Sequence, residues 1–269
     1  MIFEFDNALV RHPAHSVVHG LTSQSGPPPS YDGVAREHAQ YVQALRDCGL
    51  SVEVLPALEQ FPDSVFVEDP ALVFGDAAIL LRPGAQTRVG EVAEMEPILR
   101  RRFRKVLKIE TGHVDGGDIL RIPAGVFIGL SSRTDRAGAA ELTRLLTEIG
   151  LDSWTVRTPS DTLHLKSDCS LLAGDHVLCT AGLERSGIFK GFRPLVVPES
   201  ERRATNALRL NDTVLIGDEF PLTADLVRRE GYEVRTLPVR EIGRIDAGLS
   251  CMSLRWKARS GPAAAVRRE

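Results

Sequence analysis

One local unit recurs along the chain and limits what it can fold into. A glycine followed by a large side chain leads out of a helix-like segment and into a short strand. Gly49-Leu50 opens into strand 52–56, Gly150-Leu151 into 153–156 and Gly231-Tyr232 into 233–238. The segments before them, 32–48, 134–149 and 221–230, read as helices. In the first, Val34, His38, Tyr41, Val42 and Leu45 fall on one face, and Gly49 suits the left-handed residue past a helix end. Helix 90–103 leads likewise into strand 106–109, and a less regular segment 181–192 into 194–198. Each strand is followed by a polar linker and a hairpin: 71–80, 119–128, 170–179 and 207–216. Gly75-Asp76, Gly174-Asp175 and Asn211-Asp212 stand between apolar runs, where two-residue turns are expected. The last copy is half a hairpin, 252–256, whose partner strand is the first segment of the chain, 2–10. The first strands of successive hairpins begin near 71, 119, 170, 207 and 252. Periods of this size predict a ring of repeated units. The expected fold is therefore α/β: five ββαβ copies around one axis, a five-fold pseudosymmetric propeller in a single domain over 1–257. Residues 258–269, small, basic and Pro/Gly-containing, read as a C-terminal tail.

Composition removes several classes of function. A net charge of −3 leaves no footprint for nucleic acid or an anionic membrane. No apolar run approaches the ~18 residues of a membrane span. The start, Met1-Ile2-Phe3-Glu4-Phe5-Asp6, has acids and no basic n-region, so no signal peptide is expected. Cys48, Cys169, Cys179 and Cys251 show no CxxC spacing, which fits a reducing cytoplasm. HExxH, Walker and GxGxxG patterns are missing, and Cys251 and His164 are too few for a standard zinc set. No metal and no cofactor are expected.

In a ring, the residues just before each hairpin's first strand occupy equivalent places. Here these are Glu68-Asp69, Asp115-Gly116-Gly117-Asp118, His164 to Asp168, Arg203 to Asn206, and Ser250-Cys251. Taken singly, each has an ordinary explanation. A Glu-Asp pair is usually a solvated turn, a strand-edge histidine is usually structural, and a cysteine is usually core. Arg88 and Arg133, in loops after the first two hairpins, read as surface charges. The shared register is what separates them from that background. One axis gathers a nucleophile, an acid/base group and anionic binding groups in one cleft.

A thiol among carboxylates is a physical problem, because nearby negative charge disfavours the thiolate. A cationic substrate removes the conflict by neutralising the acids on binding. A guanidinium is planar, matches paired carboxylates and has an electrophilic carbon. Arginine or a derivative is the expected small-molecule substrate.

At these residues the sequence also resembles a known family. The segments are Phe61-Pro62-Asp63-Ser64-Val65-Phe66-Val67-Glu68-Asp69, Arg82-Pro83-Gly84-Ala85, Asp115-Gly116-Gly117-Asp118, Leu163-His164-Leu165-Lys166-Ser167 and Leu249-Ser250-Cys251-Met252-Ser253. They are similar to the dimethylarginine dimethylaminohydrolases, over about residues 9–256. That resemblance implies the five-bladed pentein fold of the guanidino-modifying superfamily. It implies hydrolysis of Nω-methylated arginine to citrulline and a methylamine through a covalent cysteine intermediate. It also implies roles: Cys251 as nucleophile, His164 as general acid and then base, and Asp115 as the carboxylate that orients it. Asp63, Glu68 and Asp69 match groups around the guanidinium, and Arg88 and Arg133 those holding the substrate carboxylate. Leu21 matches a lid residue and Ile245 a carbonyl that binds the α-amine, with Asp246 beside it. Two stretches depart from the family pattern. A single arginine follows the Pro-Gly-Ala stretch, in Gln86-Thr87-Arg88-Val89, and an acid follows Arg133-Thr134 at Asp135. The same residues serve an arginine deiminase or a citrulline-cleaving relative. A non-catalytic ring protein is the rival from another class, against which Cys251 and His164 speak. The oligomeric state is left open, a homodimer included.

Overall fold

The computed structural model describes residues 2–258. Five three-stranded sheets surround one axis, each built from an antiparallel pair and a third strand added in parallel after a helix. The first blade holds β1 (Asn7–Arg11), α1 (Tyr31–Asp47) and β2 (Ser51–Leu55). The second has β3 (Ala71–Phe74), β4 (Ala77–Leu80), α2 (Glu91–Arg102) and β5 (Lys105–Lys108). The third has β6 (Ile119–Ile122), β7 (Gly125–Leu130), α3 (Arg136–Glu148) and β8 (Ser153–Arg157). The fourth has β9 (Cys169–Leu171), β10 (His176–Cys179), α4 (Ala181–Arg185) and β11 (Arg193–Val196). The fifth has β12 (Leu208–Leu210), β13 (Thr213–Gly217), α5 (Pro221–Arg229) and β14 (Glu233–Leu237). A short α6 (Arg240–Gly243) precedes β15 (Leu254–Trp256), which pairs antiparallel with β1 and closes the ring.

The recurring glycines have a physical cause. A helix must stop abruptly to return its chain as the third strand. Gly49, Gly150 and Gly231 have φ of +90°, +77° and +87°, a region favourable to glycine. The next amide then bonds back to the last turn: Leu50 to Leu45 O, Leu151 to Leu146 O and Tyr232 to Val227 O. At the other end, Ser30 and Asp135 side chains cap α1 and α3 through the amides of Gly33 and Gly138.

Among the described residues the core divides into five apolar clusters, and each straddles two neighbouring blades. Leu9 and Leu254 meet Leu80 and Leu99; Leu72 and Ile79 meet Ile128 and Leu142. Leu120 and Ile122 meet Leu171 and Val177, Leu178 meets Val214 and Val227, and Val10 and Val42 meet Leu210 and Leu215. Burying one such side chain contributes roughly 1.5–3 kcal/mol. The blades thus rest on their seams, and the inner ends of the strands are held in register around the axis.

Two elements differ from expectation. The first strand begins at Asn7, not Ile2. Residues 2–5 instead run onto the fifth blade, where the Asn211 amide bonds Phe3 O and the Asn211 side chain bonds Phe5. Their apolar side chains pack against core clusters and make no ladder, with Ile2 and Phe3 on one and Phe5 on another. The irregular segment 181–192 is helical only over Ala181–Arg185, because Gly187 and Gly191 turn left-handed at +74° and +90°. The expected tail, 258–269, lies outside the described residues apart from Ala258.

Candidate active site

Four of the five linkers end in short 3-10 turns at the ring's mouth: Gly116–Asp118, Leu165–Ser167, Glu199–Thr205 and Leu249–Met252. Cys251 lies in the last. The second blade contributes the equivalent turn around Glu68-Asp69, whose Glu68 amide donates to Cys251 O at 3.2 Å. A cleft of about 170 Å³ opens there. It is lined by nine residues expected from the sequence: Leu21, Asp63, Asp69, Arg88, Arg133, His164, Ile245, Asp246 and Cys251.

Asp115 stands behind His164, fully buried, with its Oδ2 3.0 Å from His164 Nε2. Its Oδ1 accepts the Gly84 amide at 2.7 Å, and Arg133 Nη1 approaches Oδ2 at 3.8 Å. The imidazole lies against Gly117, where a Cβ would fall 2.6 Å from Nδ1. Burial works against the imidazolium. The Asp115 hydrogen bond and the charges of Asp69, Asp118 and Asp115 outweigh it and raise His164 to about 9. At neutral pH the histidine carries its proton. Burial pushes the Cys251 thiol the other way, up to about 11, and the Glu68 and Asp69 carboxylates add to the rise. The resting pair is therefore imidazolium and thiol.

The acids fall on two sides of the turn. Asp69 faces the cleft, and its Oδ1 accepts the Gly117 amide at 3.0 Å while Oδ2 pairs with Arg88 Nη1. Burial opposes its ionisation, but the Arg88 guanidinium brings the carboxyl below its usual value. Glu68 is not among the lining residues. Its carboxylate meets Lys166 Nζ at 2.5 Å and Ser250 Oγ at 3.1 Å, and together they line a second, more apolar cavity. Adjacent residues, Glu68 with Asp69 and Ser250 with Cys251, thus line opposite cavities. Asp63 is buried, which raises its carboxyl, and its Oδ1 accepts the Leu21 amide at 3.0 Å.

Arg88 is also buried, and most of its donors are committed. Nε and Nη2 fork onto Glu91 at 2.9 and 2.8 Å, and Nη2 also reaches Phe66 O at 2.9 Å. Glu91 escaped the sequence reading. Its signal was the three-residue spacing to Arg88 at the start of a helix. Arg133 is more open, with a side chain 23% exposed. Over the cleft, segment 21–24 is tied to the loop after α6. Ser23 N meets Asp246 Oδ2 at 2.5 Å, Gln24 Nε2 meets Asp246 Oδ1 at 2.7 Å, and Thr22 Oγ1 meets Arg244 O at 2.8 Å. Ile245 is buried beside this tie.

Asp69, Asp115 and His164 place ligand atoms within 4.8 Å of one another, the spacing of a metal site. Each is already engaged by Arg88, Gly84 or its neighbour, and the histidine favours its cationic form. That donor set suits a positioned proton better than a metal ion.

The arrangement provides a thiol, a charged imidazole and acids for a planar cation. A family model described as arginine deiminase matches residues 57–178. The N(G),N(G)-dimethylarginine dimethylaminohydrolase of Pseudomonas aeruginosa is 37% identical over 254 residues, 94% of this chain and 100% of that protein. The protein of that name from Streptomyces coelicolor is 34% identical over 255 residues, 93% of this chain and 96% of that protein. A structure of the Pseudomonas enzyme, a cysteine-to-serine mutant complexed with citrulline, superposes with a TM-score of 0.92, covering 94% of this chain and all of that one.

Proposed function

The chain belongs to the dimethylarginine dimethylaminohydrolase family, and on that premise we propose that it hydrolyses Nω-methylated arginine to citrulline and a methylamine, with Cys251 as nucleophile. The observation that carries this reading is the meeting of Cys251, a protonated His164 and Asp69 in one cleft.

The substrate guanidinium adds positive charge next to the thiol, where Glu68 and Asp69 oppose its ionisation. Its arrival lowers the cost of the thiolate, whose proton leaves to solvent because His164 already holds one. Sγ attacks the guanidinium carbon. The C–N bond to the leaving amine breaks with its electron pair on nitrogen, which takes the proton from His164. A thiouronium remains on Cys251. The neutral His164 then removes a proton from water and the resulting hydroxide adds to the same carbon; the added hydroxyl loses its proton to solvent as the C–S bond breaks, releasing citrulline and the thiolate, which regains a proton from solvent to restore the thiol. Asp115 keeps the imidazole charged and aimed. Asp63 and Asp69 face the cation, and Glu68 acts on it from beneath through its charge. Arg133, the more open of the two arginines, takes the substrate carboxylate, while Arg88 holds Asp69 and the Asp63 turn. Leu21, Ile245 and Asp246 close the α-amine end. No cofactor enters this sequence.

Among the described residues no helix is long and apolar enough to cross a membrane. Four free cysteines support a cytoplasmic setting. Sedimentation decides between a monomer and a homodimer.

Citrulline formation from arginine, monomethylarginine and asymmetric dimethylarginine tests the activity. The methylated substrates should turn over faster, and Cys251→Ser should abolish turnover while remaining folded. Turnover of arginine alone would replace the reading with a deiminase. An active Cys251→Ser would remove the covalent mechanism.

A further inference from the structure

The ring's seams follow a rule with one exception. One or two residues before each full hairpin stands an acid or amide: Asp69, Asp118, Asp168 and Asn206. Each accepts from the next blade's turn or lead-in. Asp69 takes the Gly117 amide at 3.0 Å, Asp118 the Leu165 amide at 2.9 Å and Asp168 the Arg202 guanidinium at 2.8 Å. Asn206 Oδ1 takes the Ser250 amide at 3.0 Å. An aspartate would do that seam work equally well, yet the fifth blade carries the neutral amide.

The difference lies in the other half of the side chain. With Oδ1 committed to the Ser250 amide, Nδ2 is turned to Cys251, and it donates to Sγ at 3.8 Å. Gly248 locks the amide there, since a Cβ on it would fall 2.4 Å from Asn206 Cγ. We propose that Asn206 is the side-chain hydrogen-bond donor that stabilises the Cys251 thiolate, and that this is why the fifth blade carries asparagine where three others carry aspartate. An N–H donor gains little from a neutral thiol and much from an anionic one. The bond therefore strengthens as the nucleophile ionises, which is the differential contact that speeds a reaction.

Other charges act on the same sulfur. Burial, Glu68 and Asp69 oppose ionisation, and a backbone hydrogen bond from Gly248 and the charge of Lys166 favour it. Across the cleft stand Asp63, Arg88, Arg133, His164 and Asp246. None of these side chains donates to Sγ, so Asn206 supplies a contact they do not.

The inference rests on Cys251 being the nucleophile, and the test separates the two. Iodoacetamide inactivation is followed against pH for the wild type, Asn206→Asp and Asn206→Ala, with thiolate absorbance read as a difference against Cys251→Ser. Asn206→Asp keeps the Ser250 acceptor but replaces the donor with a charge. Its midpoint should rise by about one to two pH units, and that of Asn206→Ala by about one. Citrulline formation at neutral pH should fall ~10–100-fold in Asn206→Asp, through kcat, with KM and melting temperature near wild type. If Asn206→Asp fails to fold, the Asn206→Ala midpoint decides. An active Cys251→Ser would overturn the nucleophile itself. A dead Cys251→Ser with unshifted Asn206 variants would overturn only the role of Asn206.

Discussion

His164 enters the proposed reaction as an acid because Asp115 keeps it charged. Its value of about 9 lies above the ordinary 6.5. A raised value means the pairing stabilises the fold fully below pH ~6.5, and that this stabilisation fades as pH rises through about 9. Asp115→Asn should lower the His164 midpoint by a unit or more, read from its ring proton shifts in NMR, and cut turnover by ~10²–10⁴-fold. An unchanged midpoint would mean that Asp69 and Asp118 hold the charge without Asp115. At this scale the sequence announced Cys251, His164 and Asp115 through their shared register. It did not announce that Glu68 and Asp69 face opposite cavities, because consecutive residues in a turn share a register but not a direction. Nor did it give Arg88 its partners. The fork onto Glu91 needs α2 to begin at Glu91, and the pairing with Asp69 needs two loops to meet.

Segment 21–24 illustrates what one element asks of another. Asp246 has φ of +56°, an unusual backbone for a residue other than glycine, and its carboxylate takes Ser23 N and Gln24 Nε2. The conformation persists because those bonds, and Gln24 Nε2 to Gly243 O at 2.6 Å, hold the loop on both sides. Asp246→Ala releases segment 21–24 and leaves the positive φ unrewarded. KM should rise about tenfold, as expected for one charge-assisted bond of ~1.5 kcal/mol, and proteinase K should nick within 21–30 sooner. Unchanged KM and unchanged cleavage would show that Leu21 and Asp63 suffice. The positive charge and planarity of the substrate were legible from the acids; this tie was not, since its partners stand 222 residues apart. Helices and hairpins were legible because their signals are local: Gly after the last turn, Gly-Asp or Asn-Asp between apolar runs, although the fourth blade's loop runs over 172–175 and is longer than the two residues Gly174-Asp175 suggest. The start of the first strand was misplaced because Ile2, Phe3 and Phe5 are apolar for packing against neighbouring clusters, and the apolar pattern alone does not distinguish packing from pairing.

The whole ring depends on seams, since each apolar cluster joins two blades and β15 meets β1 to close it. Five copies could be counted from the period alone, because every copy must repeat the same turn signals to present its edge to the next. The polar half of each seam was legible only as a list of acids. Asp118 tests whether that half matters. It is fully buried and accepts Ser131 Oγ at 2.6 Å, Thr134 Oγ1 at 2.7 Å and the Leu165 amide of the next blade at 2.9 Å. Asp118→Ala leaves three donors without their acceptor, at a cost of about 2–4 kcal/mol, several times that of an ordinary surface change. Asp118→Asn keeps an oxygen for Leu165 and lets the two hydroxyls rotate to accept from its amide, so it should cost less. Urea unfolding of both variants measures the difference. The Leu165 turn also carries His164, so citrulline formation should fall in Asp118→Ala even at temperatures where it remains folded. Stability within ~0.5 kcal/mol of wild type in Asp118→Ala would mean that the apolar clusters alone hold third and fourth blades together, and that the carboxylate serves only the charge on His164.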